Sequence, residues 1–190
     1  MAEFVKVIVD VPTLQTNRPY DYAVPPALQD QVMPGMRVVV PFGKGNRAVQ
    51  GFIVAVFDQA DYQGKLKTLL RLTDLTPVLN PELLALGQWL ADTTFAFQIS
   101  CFQTMLPSLM RASYSKNVVL VAPENPLAQQ VFQQATVLPY EHFKTPEQQH
   151  QLGQLQRQQA IQIQYQVKQR DHAKTVQGVQ LAQHMHYLLH

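Results

Sequence analysis

The apolar residues of this chain change their spacing part-way along it, from every second position to every third or fourth. Valine occupies alternate positions from Val5 to Val11, which is the pattern of a strand with one buried face. After residue 80, leucine recurs at helical spacing as Leu83, Leu86 and Leu90. Strands followed by helices predict an α+β fold.

Further strands are predicted in the first part of the chain, at Arg18–Val24, Met36–Val40, Ala48–Phe57 and Lys65–Leu72. Short strands joined by proline and glycine turns are typical of a compact antiparallel sheet or a small β-barrel. Neighbours on a strand point to opposite faces. Asp21 lies between Tyr20 and Tyr22, and aromatic rings beside one polar group suggest a small recognition pocket. Such a pocket requires a bend or a strand end near Pro19, so that neighbouring side chains can reach it.

A helical part follows the strands. Asn80 and Pro81 predict a helix start, with asparagine as the N-cap and proline at the first helical position. A second short helix is expected to run to Met105, since Pro107 follows it. The first domain is thus predicted to span residues 1–108, with a linker at residues 109–115.

The remaining residues, 116–190, suggest a second domain. A strand at the KNVVLVAP segment precedes a helix at Pro126–Gln134, and Thr145 begins a capping box that predicts another helix. That helix should bury Leu152 and Leu155 and expose His150 and Arg157. Helices followed by a β-hairpin are typical of a winged-helix domain. The hairpin is predicted from an alternating strand at residues 161–167, a charged turn at 168–174 and a return strand at 175–181.

Basic side chains at the predicted wing suit contacts with DNA phosphates. They are Arg157, Lys168, Arg170 and Lys174. An ordinary solvated hairpin explains them equally well, and winged helices also dock onto proteins. The net charge of the chain is only +2, so it does not distinguish DNA binding from these alternatives.

Several function classes lack their sequence signals. A phosphate-binding loop ending in Gly-Lys-Ser/Thr and a nucleophile elbow are both missing, so we do not expect this chain to be an enzyme by itself. The Gly43–Gly45 segment indicates a hairpin loop. Cys101 is the only cysteine, and the loosely spaced His184, His186 and His190 have no cysteine or carboxylate near them, so no metal site is predicted. With no secretory signal or membrane-length apolar run, a cytoplasmic protein is expected.

Three motifs occur in order in the first domain, RPYDYAVP, PGMRVVVPFG and GFIVAV. Together they resemble the primosomal protein N′ (PriA) family of bacterial replication-restart helicases. The resemblance is good over about residues 4–108 and much looser over 114–181. It implies a 3′ DNA-binding domain that captures the 3′ end of the nascent leading strand at a stalled fork, followed by a winged helix on duplex DNA. The family's ATPase core and zinc-binding cysteines lie farther along its chain, so ATP, Mg²⁺ and Zn²⁺ are expected only there.

The resemblance also implies site residues. Tyr20 falls where an aromatic ring contacts the terminal base, and the family usually has phenylalanine there. Asp21 falls where a carboxylate meets the 3′-hydroxyl, and Gly43 lies on the loop that closes over the nucleotide. Lys67 matches a lysine near the pocket, with Lys65 as the alternative. The predicted site also includes Tyr22 and Lys44.

The chemistry of Asp21 fits this role. An ionised carboxylate only accepts hydrogen bonds, a free hydroxyl can donate one, and a phosphodiester has no proton to donate. Two alternatives stay open from the residues themselves. Tyr20, Asp21 and Tyr22 could be ordinary strand packing with an edge charge. The chain could also be an interaction module that docks onto primosome or single-strand-binding proteins.

Overall fold

The first part of the chain forms one antiparallel sheet. The computed structural model describes residues 2–58, 66–107 and 114–167. The sheet has the order β2-β1-β4-β3-β5. Its strands are β1 (Phe4–Val9), β2 (Tyr20–Ala23), β3 (Arg37–Phe42), β4 (Arg47–Phe57) and β5 (Arg71–Leu72). This confirms the predicted α+β class and antiparallel sheet, although the strand predicted at Lys65–Leu72 is reduced to its last two residues.

The sheet does not close into a barrel within the described residues. Ala23 on β2 forms a single bridge with Thr68, in which the Ala23 N–H donates to the Lys67 carbonyl at 2.9 Å. The chain then leaves β2 and pairs with β3 through β5. The barrel alternative is therefore wrong for these residues, because one bridge replaces the continuous ladder that closure requires.

Two helices cover one face of this sheet. They are α1 (Pro81–Thr94) and α2 (Gln98–Met105). Asn80 caps α1 as predicted, since its Oδ1 accepts the Leu83 N–H at 2.8 Å. Gly87 lets the helices approach, because a Cβ there would lie 2.5 Å from the Phe102 ring. The Phe102 ring in turn lies 5.5 Å from that of Phe52 on β4.

The opposite face of the sheet carries the larger core. Val5, Val7 and Tyr22 contribute to it and are almost fully buried. The alternation of β1 therefore places its valines as the sequence predicts. A single turn of 3-10 helix at Pro26–Leu28 brings Leu28 into the same core.

The second part of the chain forms a three-stranded sheet of order β7-β6-β8. Its elements are β6 (Tyr114–Leu120), α3 (Pro126–Phe132), β7 (Val137–Pro139), a 3-10 turn (Tyr140–His142), α4 (Pro146–Arg157) and β8 (Ile161–Val167). The predicted capping box of Thr145 and Gln148 is confirmed at the start of α4. The predicted turn at 168–174 and return strand at 175–181 lie outside the described residues. The winged-helix assignment and the domain limits 1–108 and 116–190 stay predictions.

Helix α4 packs on the first sheet. The Leu72 N–H donates to Gln149 Oε1 at 2.9 Å, and Gln149 Nε2 donates to the Leu72 carbonyl at 3.0 Å. Gln149 is fully buried. The predicted exposure of His150 is wrong, because its Nδ1 lies 2.9 Å from the Ala27 carbonyl and the side chain is half-buried. The polar face of α4 is thus partly an interface and not only a solvated surface.

A shared ion cluster also joins the two sheets. Arg37 on β3 donates to both carboxylate oxygens of Asp74, at 2.7 and 2.8 Å. Lys116 on β6 donates to the same carboxylate at 2.7 Å. Burial would raise the pKa of Asp74, but the hydrogen bond from Arg37 and the charge of Lys116 outweigh burial and lower it.

None of the helices in the described ranges is both long and apolar enough to cross a bilayer.

Candidate nucleic-acid interface

A cavity of about 310 Å³ opens at the β2 edge of the first sheet. Strand β2, the β3–β4 hairpin and the segment before β5 enclose it. Its lining residues are Tyr20, Asp21, Tyr22, Pro41, Phe42, Gly43, Leu66 and Lys67. Five of the predicted site residues are therefore brought together here. Lys44 is exposed on the adjoining hairpin outside this lining, and Lys65 lies outside the described residues.

Strand β2 begins at Tyr20, directly after Pro19, which is two residues later than the predicted strand at Arg18–Val24. The strand end that a shared pocket requires is therefore present. Tyr20 and Tyr22 stand opposite Val7 and Val5 in the pairing with β1, so they face the larger core. Asp21 alternates to the other face of the strand. All three can border one cavity because β2 is an edge strand.

The Tyr20 ring is held from three directions. Phe42 on β3 meets it in a T-shaped contact, with ring centroids 5.1 Å apart. The Arg18 guanidinium lies over the ring, 5.2 Å from its centroid. The Tyr20 hydroxyl donates to the Gln15 carbonyl at 3.2 Å. Sequence reasoning missed Phe42 and Arg18, although both belong to the quoted motifs.

Tyr22 forms a wall of the cavity. Its side chain is almost fully buried, and its hydroxyl lies 3.4 Å from the Pro41 carbonyl, to which it donates. Burial, with a smaller contribution from Tyr20, raises the pKa of Tyr22 to about 12. Tyr22 therefore stays neutral and acts through packing.

Asp21 is paired with Lys6, the residue directly opposite it on β1. The Lys6 ammonium lies 3.0 Å from Asp21 Oδ1 and 5.0 Å from the centroid of the Phe57 ring. Within the described part of the chain, Asp21 Oδ2 has no hydrogen-bond partner. Asp21 Oδ2 is thus available as a hydrogen-bond acceptor, while the Lys6 ammonium beside Oδ1 offsets the negative charge of the carboxylate. Lys6 was missed from sequence, because only the strand register reveals it.

The β3–β4 hairpin turns at Gly43. Gly43 has φ +70°, a conformation that favours glycine, and its carbonyl accepts the Asn46 N–H at 3.3 Å. This confirms the hairpin-loop interpretation of the Gly43–Gly45 segment. The Lys67 ammonium donates to the same carbonyl at 2.6 Å. Lys67 therefore ties the hairpin to the segment on the far side of the cavity.

The family of the chain follows from comparison with known proteins. Residues 6–107 match the family model of the PriA 3′ DNA-binding domain (3′BD). The chain belongs to this family. The match contains every described strand of the first sheet except the first two residues of β1, and all the described cavity residues. The family indicated by the sequence motifs is therefore confirmed, together with its association with DNA binding.

Relatives of the PriA family support the same assignment. The chain is 37% identical over 180 residues to the replication restart protein PriA of Bacillus subtilis, covering 93% of this chain and 22% of that protein. It is 38% identical over 76 residues to the probable replication restart proteins PriA of Mycobacterium tuberculosis and Mycobacterium bovis, covering 40% of this chain and 11% of each. The chain thus spans about a fifth or less of the length of these relatives.

The predicted duplex contacts lie beyond the segment matched by the PriA model. Arg157 is exposed at the end of α4, but its Nη2 lies 3.2 Å from Asp30 Oδ2 in the first part of the chain. Lys168, Arg170 and Lys174 lie outside the described residues. A DNA contact by these side chains stays a prediction.

The described residues contain no cluster of histidine, cysteine and carboxylate side chains that could hold a metal ion. The histidines at 184, 186 and 190 fall outside those ranges.

Proposed function

We propose that this chain binds the free 3′-hydroxyl end of a DNA strand in the β2 cavity. The observation that carries the proposal is the partly satisfied carboxylate of Asp21 in the wall of an aromatic cavity. Asp21 Oδ2 would accept the hydrogen bond of the hydroxyl. Lys6 contacts Asp21 Oδ1 and lowers the net negative charge of the cavity wall, while Oδ2 still faces the terminal group.

The same carboxylate would exclude a continuing strand. A phosphodiester in place of the hydroxyl has no proton to donate, and its charge would face Asp21. A hydroxyl-to-carboxylate bond, in contrast, is short and roughly twice as strong as a neutral one. The selection therefore comes as much from repulsion of the wrong group as from attraction of the right one.

The rest of the cavity would hold the terminal nucleotide. Stacking of a base on an aromatic side chain such as Tyr20 contributes about 1–3 kcal/mol with little sequence preference. The Gly43 hairpin would close over the nucleotide, with Lys67 as its support and as positive charge beside the strand.

The wider role follows from the family. We infer that the chain is the DNA-recognition portion of a bacterial replication-restart protein that captures the nascent leading strand at stalled forks. Duplex contacts belong to the residues after 107 in this proposal, and ATP-driven unwinding belongs to longer PriA proteins. A cytoplasmic location agrees with this role.

The test is a comparison of fork DNA whose leading strand ends in either a 3′-hydroxyl or a 3′-phosphate. We expect the hydroxyl end to bind about 10- to 100-fold more tightly, since a hydrogen bond to a charged group contributes about 1.5–3 kcal/mol. Asp21→Asn should remove most of that difference, because an amide lacks the repelling charge. Dissociation constants for both ends measure the effect.

Asp10→Asn is the matched control, because Asp10 is an exposed acid that follows β1 and lies outside the cavity. It should keep the preference of the wild type. Equal affinity of the wild-type chain for the two ends would refute the proposed function.

A second function is favoured by exposed apolar side chains on and after α1. Leu86, Trp89 and Phe95 are 42%, 60% and 94% exposed. Such a surface suits docking onto primosome or single-strand-binding proteins. If docking is the main role, DNA affinity should be weak and nearly independent of salt, because phosphate contacts make log K fall with log salt.

A further inference from the structure

Among the described residues, the cations near the β2 cavity include four side chains, two of which already have partners. Lys6 pairs with Asp21 at 3.0 Å. Lys67 donates to the Gly43 carbonyl at 2.6 Å. Lys44 is exposed in the hairpin loop and does not line the cavity. The fourth is Arg18.

Arg18 is exposed and is held against the cavity without an acidic partner among the residues described. Its guanidinium lies over the Tyr20 ring, 5.2 Å from the centroid. Its backbone N–H donates to the Thr16 carbonyl at 2.8 Å, which ties its loop. No hydrogen bond within the described ranges uses its side-chain donors. Among the described residues, Arg18 therefore presents a positive charge that no acid balances, with its guanidinium N–H donors unused.

We propose that Arg18 holds the last phosphodiester of the strand whose 3′ end occupies the cavity. This inference rests on the proposed function. The base that contacts Tyr20 is joined to that phosphate through one sugar, so a cation on the same ring lies within one nucleotide of it. A planar guanidinium can also bind two phosphate oxygens at once, which a lysine ammonium cannot do with the same geometry.

The charges of the site support Arg18 over its neighbours. Asp21 and Lys6 cancel each other, so they leave no net attraction for phosphate. Lys67 would have to share its ammonium with the Gly43 carbonyl, which it already contacts. Of these four cations, Arg18 combines a position against the Tyr20 ring with side-chain donors that no described residue uses. In this proposal Asp21 recognises the 3′-hydroxyl, and Arg18 binds the phosphodiester that precedes the terminal nucleotide.

The test is a double-mutant cycle between protein and DNA. Arg18→Ala is measured on a 3′-hydroxyl oligonucleotide with a natural last linkage and on one with a neutral methylphosphonate there. Each change alone should weaken binding about 10- to 100-fold. Both together should weaken it no more than either alone, because they remove the same contact. Arg18→Ala should also reduce the salt slope of log K by about 0.7.

The controls separate this contact from general charge and from folding. Arg71→Ala removes another exposed arginine of the same sheet, outside the cavity, and should leave the effect of methylphosphonate intact. Arg18→Lys should keep the salt slope and lose part of the affinity. Additive losses in the cycle, or unchanged affinity of Arg18→Ala, would overturn the inference. Equal affinity of the wild type for 3′-hydroxyl and 3′-phosphate ends would instead refute the proposed function. The double-mutant cycle would still show whether Arg18 contacts the last phosphodiester.

Discussion

Asp74→Asn should destabilise the protein by about 3–5 kcal/mol, because it leaves two buried cations without their counter-charge. Asp74 is 4% exposed, and its partners Arg37 and Lys116 are 8% and 14% exposed. Burial already lowers the pKa of Lys116 despite the carboxylate beside it. Urea unfolding of the variant and the wild type measures the difference in the free energy of unfolding.

Two variants show whether the cause is the unpaired charge. Asp92→Asn changes an exposed acid on α1 and should alter stability by less than about 0.5 kcal/mol. Replacing the whole cluster with apolar residues, as Asp74→Leu with Arg37→Met and Lys116→Met, should recover most of the loss. A loss below about 1 kcal/mol for Asp74→Asn alone would contradict the prediction.

The same cluster makes the stability of the folded protein depend on pH. The pKa of Asp74 is lowered in the folded state, whereas in an unfolded chain it is about 3.9. A depressed pKa means that its stabilisation is fully present above about pH 4 and is lost as pH falls through the folded value. Acid unfolding of the wild type should therefore include a component that Asp74→Asn lacks.

Gln149→Leu should cost about 2–5 kcal/mol, although it replaces a polar side chain with an apolar one in a buried position. The Gln149 amide satisfies both the N–H and the carbonyl of Leu72 at the outer edge of β5. Leucine would leave those two backbone groups buried and unpaired, at about 1–3 kcal/mol each. Thermal or urea unfolding measures the effect.

Gln151→Leu is the matched control on the same helix. Its side chain is half-buried and makes no hydrogen bond to any residue of the described ranges, so the change should be small. If the two variants were equally stable, the hydrogen bonds of Gln149 to Leu72 would not contribute the predicted stability.

Local signals made part of the fold predictable. Asn80 followed by Pro81 and the Thr145 capping box are short patterns that satisfy backbone groups at helix starts, so they needed no knowledge of the rest of the chain. The alternation of valine in β1 similarly reports one buried face. Whether the sheet closes into a barrel was not predictable, because closure depends on how far the segment near Thr68 follows β2.

The site was predictable only as far as its motifs reached. Tyr20, Asp21 and Gly43 came from a family resemblance and do line one cavity. Lys6 came from strand register, and a buried glutamine such as Gln149 contradicts the usual exposure of its residue type. No short pattern in a sequence encodes contacts between residues 77 positions apart.

The exchange rate of the Leu72 amide hydrogen measures how often the two halves of the molecule separate. Its acceptor is not another strand but the side chain of Gln149, on a helix from the second half. Exchange of that hydrogen with deuterated water requires the helix to withdraw, so its rate counts the openings of this junction. If addition of a DNA fork slowed this exchange, binding of the DNA would hold the two halves together.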